Sequence, residues 1–190
     1  MPINTTLNQH FPLRRGRAHE VTGPASSSFA AIACSLAGGP ALWIVERWKQ
    51  ERVSPVGLTQ FCDPERVLMA LTNTADELLA TAEDALRSGA VSMVVAELGV
   101  PLSFIAGRRL QLAAEAGKTT GIFIIGDGMG SNAAETRWHC SAAFEPHDDG
   151  GDSTLYSWQL IKNKSGTCGK WRIRWDGNAR SITVVPDATD

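Results

Sequence analysis

The sequence predicts an α/β fold with a mainly parallel central sheet flanked by helices and a β-rich antiparallel C-terminal extension. Between residues 18 and 125, short apolar runs alternate with helical segments, which is the pattern of parallel strands joined by crossover helices. Beyond residue 125 the helical patterns end, and segments with partial apolar alternation follow. A chain of 190 residues is long enough to form one domain around its own core.

Four apolar runs bounded by Gly, Pro or polar residues predict buried parallel strands. Buried parallel strands contain continuous runs of Val, Ile and Leu because both of their faces are covered. The runs lie at residues 41–45, 66–71, 91–95 and 121–125, and a further strand is predicted near 18–22, directly before the Gly/Ser-rich turn.

Helices join these strands. The first is predicted at 26–37, directly after a Gly/Ser-rich turn. The second begins with a capping box, in which Thr74 is the cap and Glu77 follows three residues later, and it ends before Gly89. The third is predicted at 101–116, where apolar residues recur near helical spacing.

The C-terminal third of the chain predicts strands joined by polar turns. These strands lie at residues 134–145, 154–162, 169–176 and 180–185. The whole chain divides into a flexible N-terminal lead-in at 1–17, a single domain at 18–186 and a frayed tail at 187–190.

The composition excludes several classes of protein. With a net charge of -2, any contact with nucleic acid or with an acidic membrane would need a local basic patch. No apolar run approaches the ~18 residues that span a bilayer, and the N-terminus lacks the layout of a signal peptide. Four widely spaced cysteines form no metal-binding or disulfide pattern: Cys34, Cys62, Cys140 and Cys168. We therefore expect a cytoplasmic protein without membrane contact, bound metal or disulfides.

The Gly/Ser-rich turn has the layout of a phosphate-binding loop, G-x-x-x-x-G-K-[ST], with its defining positions changed. Counted from Gly23, the second glycine falls on Ser28, the lysine on Phe29 and the metal-binding hydroxyl on Ala30. The complete loop is Gly23, Pro24, Ala25, Ser26, Ser27, Ser28 and Phe29.

Two interpretations of this degenerate loop remain open. In one it is a cradle that binds nucleotide without turnover; in the other it is a strand-to-helix turn whose serines cap the helix. Loss of the lysine removes the charge-assisted contact that dominates phosphate affinity, so we favour the turn, with Phe29 packed in the core. The prediction is a protein that is not an enzyme and that needs no cofactor.

Four segments resemble the core of the RecA family. Residues 16–27 match its first strand and phosphate loop, and residues 87–95 match the run into its second nucleotide motif. Residues 122–125 match its nucleotide-sensing strand, and residues 160–164 match its interface lysine pair. Because order and spacing match over most of 16–176, the resemblance implies a RecA-like core.

Shorter phrases resemble the ImuA family, RecA-like accessory proteins of bacterial damage-induced (SOS) mutagenesis. The phrases lie at residues 16–25, 41–44, 135–138 and 162–166. The resemblance implies a non-catalytic adaptor in translesion synthesis. It also implies the partners, namely a catalytically inactive Y-family polymerase homologue (ImuB-like), RecA and an error-prone DnaE-type polymerase.

The same resemblance supplies candidate residues outside the loop. Glu97 falls at the strand-end carboxylate of the second nucleotide motif, and Glu46 falls near the carboxylate that activates water in RecA. Without the lysine and a metal ligand, both positions are interpreted as vestigial. The candidate interface with a partner or with DNA is Lys162, Lys164, Lys170, Arg172 and Arg174. Residues 126–130, Gly-Asp-Gly-Met-Gly, are interpreted as a loop.

Two alternative functions remain at this stage. The first is a cell-division inhibitor like SulA, because residues 85–125 also resemble the middle of that RecA-like protein. The second is a weak ATPase, whose Mg²⁺-dependent turnover would depend on Glu97.

Overall fold

The computed structural model of the protein describes residues 6–144 and 155–186. The predicted tail at 187–190 and the polar connection before the second C-terminal strand lie outside these ranges. The described helices are α1 (Ser26–Ala37), α2 (Pro55–Leu58), α3 (Ala75–Ser88) and α4 (Phe104–Gly117). The described strands are β1 (Ala18–Thr22), β2 (Ala41–Glu46), β3 (Val67–Thr72), β4 (Met93–Glu97), β5 (Thr120–Ile124), β6 (Thr136–Ala142), β7 (Leu155–Asn163), β8 (Gly169–Asp176) and β9 (Ser181–Val185).

All nine described strands form one sheet in the order β3-β2-β4-β5-β1-β6-β7-β8-β9. The predicted α/β class with a parallel centre and an antiparallel extension is therefore confirmed. One strand differs from the prediction, because β6 runs parallel to β1, with Glu20 opposite Arg137. This direction is possible because residues 125–135 run back along the sheet from the end of β5 to the start of β6. A strand of five residues is about 17 Å long, and eleven residues span that distance easily. The antiparallel part begins at β7.

Two cores lie on opposite faces of the sheet. On one face, α3 and α4 pack against β1, β2, β4 and β5 through residues such as Leu86, Leu110 and Phe123. On the other face, α1 packs against an aromatic cluster that β6, β7 and β8 provide. Because α3 and α4 stop at β1, the other side of β6–β8 faces outward.

The N-terminal lead-in differs from the prediction over its described part. Leu7, Phe11 and Leu13 are buried in the α1 core. Burial of each such side chain stabilises the fold by about 1.5–3 kcal/mol. Leu7, Phe11 and Leu13 therefore pack as part of the domain core, whereas the predicted boundary at residue 17 stays a prediction.

The helix ends agree with the sequence except at one start. Thr74 caps α3 by accepting from the Glu77 N–H at 3.2 Å, while the Glu77 carboxylate accepts from Asn73 rather than from the cap. The third predicted helix begins later than Pro101, because Ser103 takes the cap position and accepts from the Ala106 N–H at 3.1 Å.

Strand β3 is an edge strand and not the buried strand that its apolar run predicts. It pairs with β2 on one side alone within the described sheet. Three of its six side chains are consequently exposed, with Leu68 at 55%, Met69 at 43% and Leu71 at 36%. A continuous apolar run is equally compatible with both positions, and strand order decides between them.

Candidate functional site

The phosphate-loop positions form a short turn that lies against β6. Between the end of β1 and the start of α1 there are three residues, Gly23, Pro24 and Ala25. Gly23 has φ of +95°, and a Cβ there would lie 2.4 Å from the carbonyl oxygen of Cys140. The Ala25 N–H donates to that same carbonyl oxygen at 3.0 Å. One N–H that a phosphate cradle would direct at its ligand is thus used inside the protein.

The side chain at the lysine position points into the core. Phe29 is 0% exposed, and its ring lies 5.4 Å from Phe11, 5.4 Å from Trp138 and 4.7 Å from Trp158, measured between ring centroids. Ala30, at the position of the metal-binding hydroxyl, is also fully buried. These two positions therefore complete an apolar core, as the packing interpretation of Phe29 expects.

The serines of the loop do not cap the helix. The N-cap of α1 is Ala25, and no side-chain hydrogen bond caps this end. Ser28 instead hydrogen-bonds the Tyr156 hydroxyl from β7. The capping role that we expected for the serines is wrong, because the turn is closed by backbone bonds and by contacts with β6 and β7.

The two carboxylates at the ends of parallel strands already have donors. Glu97 accepts from the Trp43 indole N–H at 2.8 Å and from the Lys49 ammonium at 3.0 Å. Glu46 accepts from the Trp48 indole N–H at 2.8 Å. Both residues are buried, so these contacts offset the cost of removing carboxylates from water. They give Glu46 and Glu97 structural roles at the carboxyl edge of the sheet.

The lysine pair at the end of β7 holds a neighbouring loop. Lys164 donates to the carbonyl oxygen of Ala133 at 2.7 Å, and Lys162 donates to the carbonyl oxygens of Asn132 and Ala134. Burial, reinforced by the adjacent Lys164 charge, lowers the pKa of Lys162. The interface role of both lysines stays a prediction, and their observed contacts lie within the fold.

The other predicted basic residues lie on the outward side of the extension, which we call the open face. Lys170, Arg172 and Arg174 alternate along β8 with Trp171, Ile173 and Trp175, which are buried on the α1 side. Lys170 is exposed and the two arginines are half-buried. The tryptophans are therefore core residues, whereas the three cations share one outward surface.

A cavity of about 310 Å³ adjoins the open face at the carboxyl ends of β1 and β5. Its polar lining includes Asp127, which accepts from the Thr22 hydroxyl at 2.7 Å, and the half-buried ring of His139. Arg137 also lines it and pairs with the buried Glu20 carboxylate at 2.7 Å. Sequence reasoning missed this group, since β6 brings Arg137 and His139 beside β1 through a pairing that no local pattern indicates.

His19, next to this group, is a structural residue. Its Nε2 lies 3.0 Å from the carbonyl oxygen of Arg14, and its Nδ1 lies 2.7 Å from the Thr136 hydroxyl. This arrangement fits the neutral ring with its proton on Nε2. Burial lowers the pKa of His19 to about 4, in agreement with a neutral ring.

Two kinds of site have no support among the described residues. The described part of the chain contains no group of three metal-ligating side chains that could hold an ion. Likewise, no described helix has the length and apolar character needed to cross a membrane.

Comparison with known proteins places the fold. The crystal structure of the RadB recombinase is similar to this chain, with a TM-score of 0.65 at 14% sequence identity, over 91% of this chain and 92% of that chain. No family model and no curated protein matches the sequence. At this identity the likeness concerns the fold alone, and the chain accordingly has a RecA-like fold.

Proposed function

We propose that this protein is a non-catalytic RecA-like adaptor of DNA-damage-induced translesion synthesis. Its main partner in this proposal is an ImuB-like inactive Y-family polymerase homologue, with RecA and an error-prone DnaE-type polymerase as further partners. The proposal joins the sequence resemblance to the ImuA family with the state of the phosphate loop.

The observation that carries the non-catalytic part is the burial of Phe29 among aromatic rings. Hydrolysis of a nucleotide needs a cation on the transferred phosphoryl group and a ligand for Mg²⁺. Here the first position is occupied by a core phenylalanine and the second by the buried Ala30. A RecA-like fold that lacks these groups is best explained by a role in which its surfaces bind other proteins.

One such surface is the edge strand β3, which we propose docks an extended segment of the ImuB-like partner. An edge strand leaves a row of backbone N–H and C=O groups that a partner strand can pair with. Natural edges are commonly protected by Lys or Pro, yet β3 has the sequence Val-Leu-Met-Ala-Leu-Thr and contains neither. Leu68 and Met69 point to opposite faces of the sheet and are both exposed, so an incoming strand would find apolar contacts on either side.

Binding of purified partner proteins tests the adaptor role. We expect the ImuB-like partner to be retained by the immobilised protein and the double variant L68K/M69K to retain at least tenfold less. V184K is the matched control, because Val184 is 48% exposed on β9, the opposite edge of the same sheet. Retention of neither the ImuB-like protein nor RecA would reject the adaptor function, whereas equal loss in both variants would reject β3 as the docking edge.

A nucleotide titration tests the non-catalytic role separately. We expect no saturable heat on addition of Mg²⁺–ATP and no phosphate release above the background without protein. Mg²⁺-dependent turnover that E97Q abolishes would establish the weak ATPase instead.

A further inference from the structure

The helices α3 and α4 form an outward layer that carries exposed apolar side chains. On α4, Phe104 is 62% exposed, Ile105 is 74% exposed and Leu112 is 46% exposed. Between the two helices runs a groove of about 530 Å³, lined from the α3 side by residues that include Leu79 and Ala80. We call this surface the α3–α4 face. Apolar side chains clustered on an exposed helix layer indicate an association surface.

The apolar residues of α4 follow one line along the helix. Ile105 and Leu112 are seven residues apart, which places them two turns apart on the same stripe. Arg108 and Arg109 lie on either side of this stripe, and both are exposed. The outward side of α4 is therefore an apolar line with basic flanks.

The outward side of α3 has the complementary character. Its small exposed residue Ala80 lies between the exposed carboxylates of Asp76 and Asp84. A small residue leaves room for a large apolar side chain, and flanking carboxylates attract arginines. The same molecule thus presents a ridge with basic flanks on α4 and a matching surface with acidic flanks on α3.

We propose that the α3–α4 face binds a second copy of this chain, with α4 of each copy lying on α3 of the other. This inference goes beyond the adaptor function and does not depend on it. A symmetric dimer uses the same patch twice, so the patch must complement itself. The charge distribution described above meets this requirement.

Charge also selects the orientation of the two copies. The helices α3 and α4 run in the same direction, because each connects parallel strands on one face of the sheet. A two-fold axis parallel to the helices keeps each residue at its height and places α4 over α3 of the partner. Gly117 at the end of α4 is level with Leu86 near the end of α3, so Arg108, nine residues earlier on α4, comes near Asp76 of the other copy. An axis across the helices would place carboxylates on carboxylates and arginines on arginines, which is unfavourable.

The face is preformed but small. The Arg109 guanidinium pairs with the Glu83 carboxylate at 2.6 Å and links the two helices. Each helix has 14 residues, about 21 Å, and two neighbouring helices are about 20 Å wide, which gives roughly 400 Å² per copy. This is about half of a standard interface, so the dimer is expected to be weak, with a Kd on the order of tens of micromolar.

Sedimentation equilibrium of the purified chain tests the proposal, from about 5 to about 300 µM. We expect a monomer–dimer equilibrium in which I105E weakens dimerisation at least tenfold. Ile105 is 74% exposed, so the substitution leaves the core intact, and circular dichroism verifies this. R108E and D76R should each weaken the dimer, and the double variant R108E/D76R should restore it because the charges exchange places across the interface.

The edge variant M69K separates this interface from pairing through β3, and it should dimerise like the unmodified protein. A monomer at all concentrations would overturn the proposal. So would a dimer that is unaffected by I105E, one that M69K abolishes, or a charge exchange that fails to restore association.

Discussion

Replacement of Phe29 by lysine would restore the missing cation of the phosphate loop and would, we expect, unfold the protein. Removal of a buried phenylalanine costs about 3–5 kcal/mol. An ammonium group placed among Phe11, Trp138 and Trp158 has no described acceptor there, and its desolvation adds several kcal/mol. The sum exceeds about 5 kcal/mol, which is comparable with the whole stability of many domains, about 5–15 kcal/mol.

Urea unfolding followed by tryptophan fluorescence measures this loss, because Trp138 and Trp158 both contact the ring that is removed. F29L, which keeps an apolar side chain, should cost about 1–2 kcal/mol. F144K is the matched control, since Phe144 is 82% exposed, and it should change the stability by less than about 0.5 kcal/mol.

The reasoning would be refuted by an F29K protein that unfolds within about 1 kcal/mol of the original and binds Mg²⁺–ATP. That result would mean that residue 29 can turn from the core to a ligand and that the turn is a functional cradle. A folded F29K protein without nucleotide binding would instead contradict the energetic estimate alone.

Three further predictions concern polar side chains that hydrogen-bond or pair with distant parts of the fold. The pKa of His19 is about 4 in the folded state and 6.5 in the unfolded state. The stability that the neutral His19 contributes is therefore complete above pH 6.5, and about 3 kcal/mol of it is lost as the pH falls toward 4. H19Q should make the unfolding free energy less dependent on pH over this range. R137M should cost about 3–5 kcal/mol in urea unfolding, because the fully buried Glu20 carboxylate loses its cation, and E20Q/R137M should recover part of that loss. K162M should cost about 1–3 kcal/mol by releasing the 131–135 loop, visible as faster amide hydrogen exchange there, and it should leave exchange in α3 unchanged.

Sequence patterns correctly predicted those helices and strands whose ends and burial are determined by residues close to them in the chain. The helix before Gly38 and the helix between Thr74 and Gly89 end where their glycines adopt positive φ, at +72° and +68°. A glycine ends a helix through the conformation of a few neighbouring residues, so this helix end can be predicted from the sequence. The strands β4 and β5 are buried on both faces, so their continuous apolar runs are informative too.

The predictions that failed depend on contacts between distant residues. The parallel direction of β6 and the edge position of β3 are set by strand order, which a local pattern does not contain. The contacts of Lys162 also depend on distant residues, because its acceptors are the carbonyl oxygens of Asn132 and Ala134, about thirty positions earlier; its interface role stays a prediction. A lysine in a strand carries the same local signal whether it binds a partner or a neighbouring loop.

The N-terminal segment and the phosphate-loop position are coupled, and this coupling explains why the change at residue 29 is more than a lost contact. Phe11 lies 5.4 Å from Phe29 and 4.9 Å from Trp158, so the segment that we expected to be flexible closes the space over the altered position. Aromatic pairs of this kind contribute about 0.5–1.5 kcal/mol beyond their burial. A lysine at position 29 would need that space to be polar and hydrated, which requires removal of Phe11 as well. If the proposed non-catalytic role holds, a gain of nucleotide binding would therefore need several simultaneous changes, whereas β3 and the α3–α4 face lie outside this cluster and can change independently of it.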